Sequence, residues 1–313
     1  MDINWDVHDH HCIFVIGNGF DINLGYPTKY KDFVGNDKHD NHTFFPFVKG
    51  GCDFHELGDY ILRATNIEKW YDLEDILANY GSKEEYLFNK NFVPGTEEND
   101  RQDFKRLVDG LNEYLSSLDL SQPIKTSVAA RILKSIPYSG LYFPTFYSFN
   151  YTDLETIGLS LGVDIVSPYY IHGNLKNQII LGVGDYANLR DSTDFMYKSF
   201  QDPYRSSSLL VDLKACDTLI IFGLSLSQVD YPYFKDFFSK VSSGNVENRP
   251  FIRIITLDDS SKRDILRNLR QMNNGMIGLR NYSDFDIIRT KDNADEDKVI
   301  DLINHIKHRC TYL

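Results

Sequence analysis

Apolar residues run along this chain in two different rhythms. The stretch Cys12-Ile13-Phe14-Val15-Ile16 is an unbroken apolar run closed by Gly17-Asn18-Gly19-Phe20-Asp21. A run this short fits a buried strand, and two glycines two apart predict a tight turn that feeds a helix. Gly25-Tyr26-Pro27 follows, with Thr28 placed to cap a short helix just past the proline. Residues 36–53, rich in Asn, Asp, His and Gly, read as a loop. Between 54 and 135 the apolar residues recur near every 3.6 positions, which predicts helices over 56–65, 68–80, 100–118 and 124–135 and a loop over 91–100. In the second of these, Leu73, Ile76, Leu77 and Tyr80 share one face beside Trp70, leaving Glu74 and Asp75 on the solvated side.

From Pro144 onward short apolar runs alternate with amphipathic segments. Strands are expected over 144–149, 165–171, 218–223, 251–257 and 285–289, with a further short apolar run over 179–185. Helices are expected over 153–161, 195–200, 206–215, 233–241, 260–272 and 295–309. Such alternation calls for crossover connections and a mainly parallel sheet covered on both faces. The expected architecture is therefore α/β: a doubly wound, Rossmann-like core formed by 1–53 and 136–313, interrupted by a helical insertion over 54–135.

Composition narrows the function without naming it. The 313 residues are 42% hydrophobic, with 20 Tyr and 21 Phe, as a packed globular chain requires. A formal charge of −12 argues against broad binding to nucleic acid or anionic membrane. No run reaches the length of a membrane span, and the acidic start Met1-Asp2-Ile3-Asn4-Trp5-Asp6 lacks a signal-peptide pattern, so a cytoplasmic protein is expected. Cys12, Cys52, Cys216 and Cys310 are scattered, which suits reduced thiols and offers no zinc ribbon. His39, His42 and His55 fit no ligand spacing either, so no metal is expected.

Ligands of open parallel sheets bind outside the carboxyl ends of the strands. Four predicted strands end in polar or glycine-bearing corners: Gly17-Asn18-Gly19-Phe20-Asp21, Asn150-Tyr151-Thr152-Asp153, His172-Gly173-Asn174, and Gly223-Leu224-Ser225-Leu226-Ser227-Gln228-Val229-Asp230. In adjacent parallel strands all four converge on one crevice. Each has a plainer reading as well. Asn150 can cap the next helix, His172 can be a satisfied turn residue, Ser225 and Ser227 are ordinary helix-entry residues, and Asp230 can complement a helix dipole. A dehydrogenase-type G-x-G-x-x-G needs glycine at position 22, where Ile22 stands. The G-x-S-x-G elbow, H-E-x-x-H and the Walker lysine are likewise missing, which disfavours hydrolase and NTPase readings.

Read in order, these segments resemble a known family. Ile16-Gly17-Asn18-Gly19-Phe20-Asp21, Gly25-Tyr26-Pro27-Thr28-Lys29-Tyr30, Trp70-Tyr71-Asp72-Leu73-Glu74, Ser148-Phe149-Asn150-Tyr151-Thr152, Ile171-His172-Gly173-Asn174, Leu181-Gly182 and Phe222-Gly223 through Tyr231 resemble the bacteriophage abortive infection AbiH family. The same corners are similar to a reduced sirtuin (SIR2-like) NAD-binding pattern, with Gly17, Gly19, Gly25 and Pro27 at that spacing. Asn150 matches the sirtuin asparagine, His172-Gly173 the catalytic His-Gly, and Gly223 with Ser225 the later Gly-x-Ser. Three positions depart: Asp21 stands in place of Ser, Asn18 in place of Ala, and Tyr30 in place of Arg. The four zinc cysteines of sirtuin deacylases are absent, which points away from deacylation.

The resemblance implies an antiphage effector that takes NAD as its substrate and cleaves it to nicotinamide and ADP-ribose. Catalysis would fall to Asn150, His172 and Asp21. Nucleotide binding would fall to Gly17, Asn18, Gly19, Phe20, Gly25, Pro27, Gly223, Ser225 and Asp230. A phage-derived trigger and a homo-oligomer are compatible with such a role. Two other classes stay open: a nucleotide-sensing or interaction module without turnover, and a nuclease using Asp153–Glu155, Asp258-Asp259 or Asp284–Asp286, acids that read more simply as caps.

Overall fold

The computed structural model describes residues 11–34, 55–63, 70–88, 92–136, 144–201, 208–246, 248–273 and 275–311. The predicted loop over 36–53, with His39, His42 and Cys52, lies outside the described residues. In chain order the elements are β1 (His11–Ile16), α1 (Asn18–Asn23), α2 (Tyr30–Val34), α3 (Glu56–Arg63), α4 (Trp70–Gly81), α5 (Lys83–Phe88), α6 (Glu97–Ser116), α7 (Val128–Lys134), β2 (Thr145–Ser148) and α8 (Leu154–Leu161). They continue with β3 (Tyr169–Tyr170), α9 (Leu209–Ala215), β4 (Cys216–Phe222), α10 (Tyr231–Ser242), β5 (Phe251–Thr256), α11 (Asp259–Asn273), α12 (Ile277–Tyr282), β6 (Asp284–Arg289) and α13 (Glu296–Thr311).

The strands form one six-stranded sheet in the order β3-β2-β1-β4-β5-β6, and every pairing is parallel. Strands buried on both faces must be apolar at successive positions, as the Ile-Phe-Val-Ile run of β1 is. Phe14 and Ile16 join Phe146, Ile220, Phe222, Ile255 and Ile288 under α1, α7, α8 and α13. Ile13 and Val15 point the other way, with Tyr147, Leu219, Ile221, Ile252 and Ile254, under α9, α10, α11 and α12. The protein is thus an α/β structure with helices on both faces of a parallel sheet.

A third core lies off the sheet. Tyr30 and Phe33 of α2, Leu57 and Ile61 of α3, Leu73, Leu77 and Tyr80 of α4, and Phe104, Leu107 and Leu111 of α6 pack with Ile179, Leu181, Val183, Leu189 and Met196. Helices α2, α3, α4 and α6 therefore share their interior with the 179–196 segment that follows β3. Two helices start elsewhere than expected, α6 at Glu97 rather than 100 and α7 at Val128 rather than 124, because Thr96 and Ser127 cap them; at the start of α8 the Asp153 side chain accepts from Glu155 N and Thr156 N.

Three expectations need correction. The strand predicted over 165–171 shrinks to Tyr169–Tyr170, because Ser167 has φ +47 and Pro168 follows it, a combination that interrupts a ladder. The run over 179–185 is apolar because it fills the third core; its one strand-like contact is a bridge from Val183 to Tyr197. Residues 195–200 form no α-helix but belong to two 3-10 turns, Asp191–Met196 and Lys198–Phe200. The short helices α5 and α12, of six residues each, were not anticipated. Segments of that length carry too little periodicity to announce themselves.

One backbone contact fixes the centre of the sheet's carboxyl edge. Gly17 N donates to Phe222 O at 2.8 Å and Gly19 N donates to Gly223 O at 2.9 Å. Gly223 has φ +71, and a Cβ there would lie 2.3 Å from Phe20 N and 2.5 Å from Gly19 C. Gly162, which ends α8, has φ +74 with nothing within 4 Å of its Cβ position. Substituting alanine at these two positions separates conformational strain from steric conflict. Gly162→Ala is expected to lower unfolding free energy by about 1–2 kcal/mol. Gly223→Ala is expected to lower it by at least about 2 kcal/mol more, because backbone must move. Chemical denaturation of the two variants checks this; equal losses would remove the close approach as a constraint.

Candidate functional site

The strand order reverses between β1 and β4, and the crevice outside such a reversal is where parallel sheets bind ligands. Its first wall is the Gly17–Asp21 turn. The Gly17 and Gly19 N–H groups are both engaged by the β4 end, so these glycines answer first to the approach of Gly223. Asn18 faces the other way: its Nδ2 donates to Thr28 O at 3.0 Å, and Thr28 Oγ1 donates to Asn18 Oδ1 at 2.7 Å. That pair stitches the turn to the Gly25–Pro27 segment, where Gly25 has φ +92 and Pro27 O accepts from Tyr114 OH at 2.6 Å. Phe20 is buried edge-on against Phe222, with ring centroids 5.3 Å apart.

Asp21 and Asn150 are brought together. Asp21, on the first turn of α1, is 1% exposed, and Thr152 Oγ1 donates to its Oδ2 at 2.7 Å. Burial pushes the Asp21 carboxyl up to about 7, against the opposing influence of Thr152 and the nearby Asn150 side chain. Asp21 Oδ1 and Asn150 Nδ2 are both buried and make no hydrogen bond of normal geometry, so the Asn150 amide acts on the carboxyl only as a weak donor. Asn150 is not the cap of α8, a role that Asp153 fills. The backbone around it is rigid: Asn150 N donates to Ser148 Oγ, and Phe149 N donates to Ile16 O at 2.8 Å.

His172 follows β3 and is held by its backbone, with Ile171 N donating to Ser148 O and Ile180 N donating to His172 O, each at 2.8 Å. Its ring packs edge-on to Phe149 (5.4 Å) and Tyr233 (6.4 Å). Burial, and then the positive charge of Lys198, hold the imidazole well below the ordinary histidine range, so it is neutral near pH 7. Its Nδ1 has no partner in the protein. Gly173 turns the chain with φ +71, where a Cβ would meet Gln178 O at 2.0 Å.

A group of charges that sequence patterning missed stands on this side. Glu74 of α4 was expected to be solvated; instead its side chain is 13% exposed and accepts from Lys198 Nζ at 2.5 Å, with Lys198 7% exposed. The helical wheel misleads here because the 179–201 segment covers the flank of α4 that periodicity assigns to water. The only sequence signal was that Glu74 ends the Trp70–Glu74 stretch of the family pattern. Asp230 belongs to the same group. Burial and the Glu74 charge push its carboxyl up to about 7, while Lys198 and the Ser227 N–H, donating at 3.0 Å, pull it back. Tyr151 and Tyr186 are both raised, by burial first and then by Glu74. Ser225 stands apart, its carbonyl accepting from Asn268 Nδ2 of α11 at 3.0 Å.

The carboxyl edge therefore holds two polar groupings, Asp21–Thr152–Asn150 at the ends of β1 and β2, and His172–Lys198–Glu74–Asp230 around β3 and β4. A carboxyl near 7, an amide beside it and a neutral imidazole with an open nitrogen are what proton transfer and hydroxyl recognition require. Fold and edge together define a parallel α/β protein with a buried ionisable site at a reversal of strand order. The sequence model for the family described as bacteriophage abortive infection AbiH matches residues 13–249, and the chain belongs to that family. The family carries an antiphage, abortive-infection role. No curated protein and no solved structure matches the chain. Among the described residues no helix is long and apolar enough to cross a membrane.

The Asp21 environment sets a pH dependence. An unfolded aspartate titrates near 3.8 and the folded one near 7, so the folded state binds the extra proton between those values. Stability then falls as pH rises from about 4 to about 7 and is level above that. Asp21→Asn keeps an acceptor for Thr152 and removes the buried charge. Its gain over wild type is expected to grow by up to about 2–3 kcal/mol between pH 5 and pH 8. Denaturant titrations at the two pH values read this directly; a gain that does not change with pH would place the Asp21 carboxyl in water.

Proposed function

We propose that this protein is an antiphage effector that binds NAD at the carboxyl edge of the sheet and cleaves its nicotinamide–ribose bond. What most supports the reading is that Asp21, Asn150 and His172 follow the ends of three neighbouring strands beside the strand reversal, the Asn150 amide close enough to lower the Asp21 carboxyl and His172 Nδ1 buried without a partner in the protein. The order β3-β2-β1-β4-β5-β6 is that of doubly wound, Rossmann-like dinucleotide sheets, and in this reading the core is sirtuin-like. The division into a core (1–53 and 136–313) and a helical insertion (54–135) belongs to the same proposal.

In this proposal the pyrophosphate lies along the outer side of the Gly17–Phe20 turn, whose glycines are used first by the approach of Gly223, with Asn18, Gly25 and Pro27 fixing its shape. Gly223, Ser225 and Asp230 border the adenosine side. At the other end the glycosidic bond breaks and its electron pair leaves with nicotinamide, neutralising the pyridinium. The ribose passes through an oxocarbenium-like state. Asn150 positions the attacking water or a ribose hydroxyl through its amide. His172, being neutral, has a lone pair to take the proton that water releases as it bonds to the anomeric carbon. Asp21, ionised in part at neutral pH, holds a ribose hydroxyl or stabilises the developing positive charge; it points away from the pyrophosphate, which would repel it. The protein acts in the cytoplasm on a small nucleotide, under a phage-derived trigger, and as a homo-oligomer if the trigger works by assembly.

One observation favours a second reading. An imidazole held well below its ordinary range is a weaker base than one poised near pH 7, which suits a crevice that senses NAD or ADP-ribose without turning it over. Incubating purified protein with NAD and following nicotinamide and ADP-ribose tests the first. Wild type is expected to release both, and His172→Ala and Asn150→Ala to lose about 100-fold or more in rate. Undiminished cleavage in both variants would sink the site. Calorimetric binding of ADP-ribose with no product from NAD would select the sensor.

A further inference from the structure

Thr152 sits between two fixed neighbours in the turn from β2 to α8. Tyr151 O accepts from Leu175 N at 3.2 Å and the Tyr151 hydroxyl donates to Ile180 O at 3.1 Å. On the other side Asp153 caps α8 and pairs with Lys176 at 2.9 Å. Thr152 itself is buried, and its Oγ1 donates to Asp21 Oδ2 at 2.7 Å, joining the β2 end to α1. Asp21 Oδ1 makes no hydrogen bond of normal geometry. The Tyr26 hydroxyl is committed elsewhere, donating to Leu120 O at 2.7 Å. One carboxyl oxygen of Asp21 is therefore held and the other is not, and a single hydroxyl makes the difference.

We propose that Thr152 is a positioning residue for Asp21: its hydroxyl fixes Oδ2, so that Oδ1 is the oxygen left to meet a ligand. The inference rests on the reading that Asp21 belongs to the nucleotide site, but the contact itself does not depend on NAD being the ligand. A carboxyl group turns about its Cβ–Cγ bond, and without a fixed partner its two oxygens interchange. Thr152 removes that freedom before any ligand arrives. It also decides where a proton goes. A hydroxyl has one proton to give, and an ionised carboxylate only accepts. While Thr152 donates to Oδ2, a proton taken up by Asp21 lies on Oδ1, the open oxygen. The same bond favours the ionised form, because a donor stabilises the charge it faces. It thus works against burial, which holds the carboxyl up at about 7. The ionisable group coupled to Asp21 is Tyr26, pushed up to about 12 by burial and then by the Asp21 charge, so it stays neutral while Asp21 titrates. Asn150, the other side chain acting on the carboxyl, carries no charge.

Carboxyl NMR reads the bond without any substrate. In full-length protein isotope-labelled at aspartate Cγ, with the Asp21 signal assigned from an Asp21→Asn spectrum, the wild-type signal is expected to titrate near 7. Thr152→Val keeps the side-chain shape and the burial but removes the donor, and should move the midpoint upward by about one pH unit. Thr152→Cys, with a far weaker donor, is a second removal of the bond and should move it the same way. Thr152→Ser keeps the hydroxyl and should return the midpoint to the wild-type value. A role in packing alone would reverse this order, leaving Thr152→Val silent and making the smaller Thr152→Ser the disruptive change. Midpoints in Thr152→Val and Thr152→Cys that superimpose on wild type would overturn the proposal, and so would a Thr152→Ser midpoint that moves with theirs. An absence of NAD cleavage would defeat the nucleotide reading and leave this titration untouched, so the two fail separately.

Discussion

The backbone approach of Gly17 and Gly19 to Gly223 is the constraint on which the rest of this molecule depends. Two parallel strands can leave their ends this close only if no Cβ intervenes on any of the three residues. The contact sets α1 against the β4 end, and the register of β1 with β2 then places Ile16 opposite Ser148. From there Phe149 N reaches Ile16 O and Ile171 N reaches Ser148 O, so the ends of β1, β2 and β3 step along one edge. Asp21, Asn150 and His172 are carried to that edge by backbone hydrogen bonds. A larger residue at any of the three glycine positions would displace the site while leaving each side chain intact.

Against that frame the distribution of charge divides in two. At the far end of the sheet Arg289 donates to both Asp295 oxygens, at 2.8 and 2.7 Å, and to Asp259 at 2.8 Å. Arg289 holds Asp295 well below the usual carboxylate range, the behaviour of a structural lock. Asp21 and Asp230 behave oppositely, raised by burial, with one Asp21 oxygen unsatisfied. An orphan atom is not enough to mark a site: Asp100 Oδ2 is also unpartnered, but that carboxyl is bound by Tyr80 OH at 2.5 Å and faces Arg190 inside the third core. What distinguishes the strand-end group is that its orphans coincide with a reversal of strand order. Leaving such atoms unpaired costs about 1–3 kcal/mol each, a cost characteristic of sites held ready for a ligand.

The elements governed by local chemistry were legible in the sequence. Each sheet strand other than β3 was anticipated from a short, mainly apolar run, α1 from the glycine turn that follows β1, and α6, α8, α10, α11 and α13 from their amphipathic patterning. What escaped was set by contacts distant along the chain. Glu74 reads as solvated on its own helix, and only the return of 179–201 across α4 buries it. The apolar run over 179–185 carries a strand's composition because the third core demands the same residues. β3 is short for a local reason, Ser167-Pro168, that a closer reading of the proline would have weighed. The convergence of strand-end corners was foreseeable from parallel topology alone; that they divide into two groupings was not.

If the proposed sirtuin-like reading holds, Asp21 is its sharpest departure, and its surroundings make that departure less anomalous. Where that pattern has a serine hydroxyl, a permanently ionised carboxylate would present acceptors only and would repel a phosphate. A carboxyl pushed to about 7 is neutral for part of the time at physiological pH and then carries one O–H donor. Thr152 occupies one oxygen as an acceptor, leaving Oδ1 as the atom from which such a donor would act. Burial so converts an acid into a group that can do part of a hydroxyl's work while keeping an ionised form for stabilising positive charge. On the proposed reading, the residue that departs most from the pattern is one whose chemistry burial has changed.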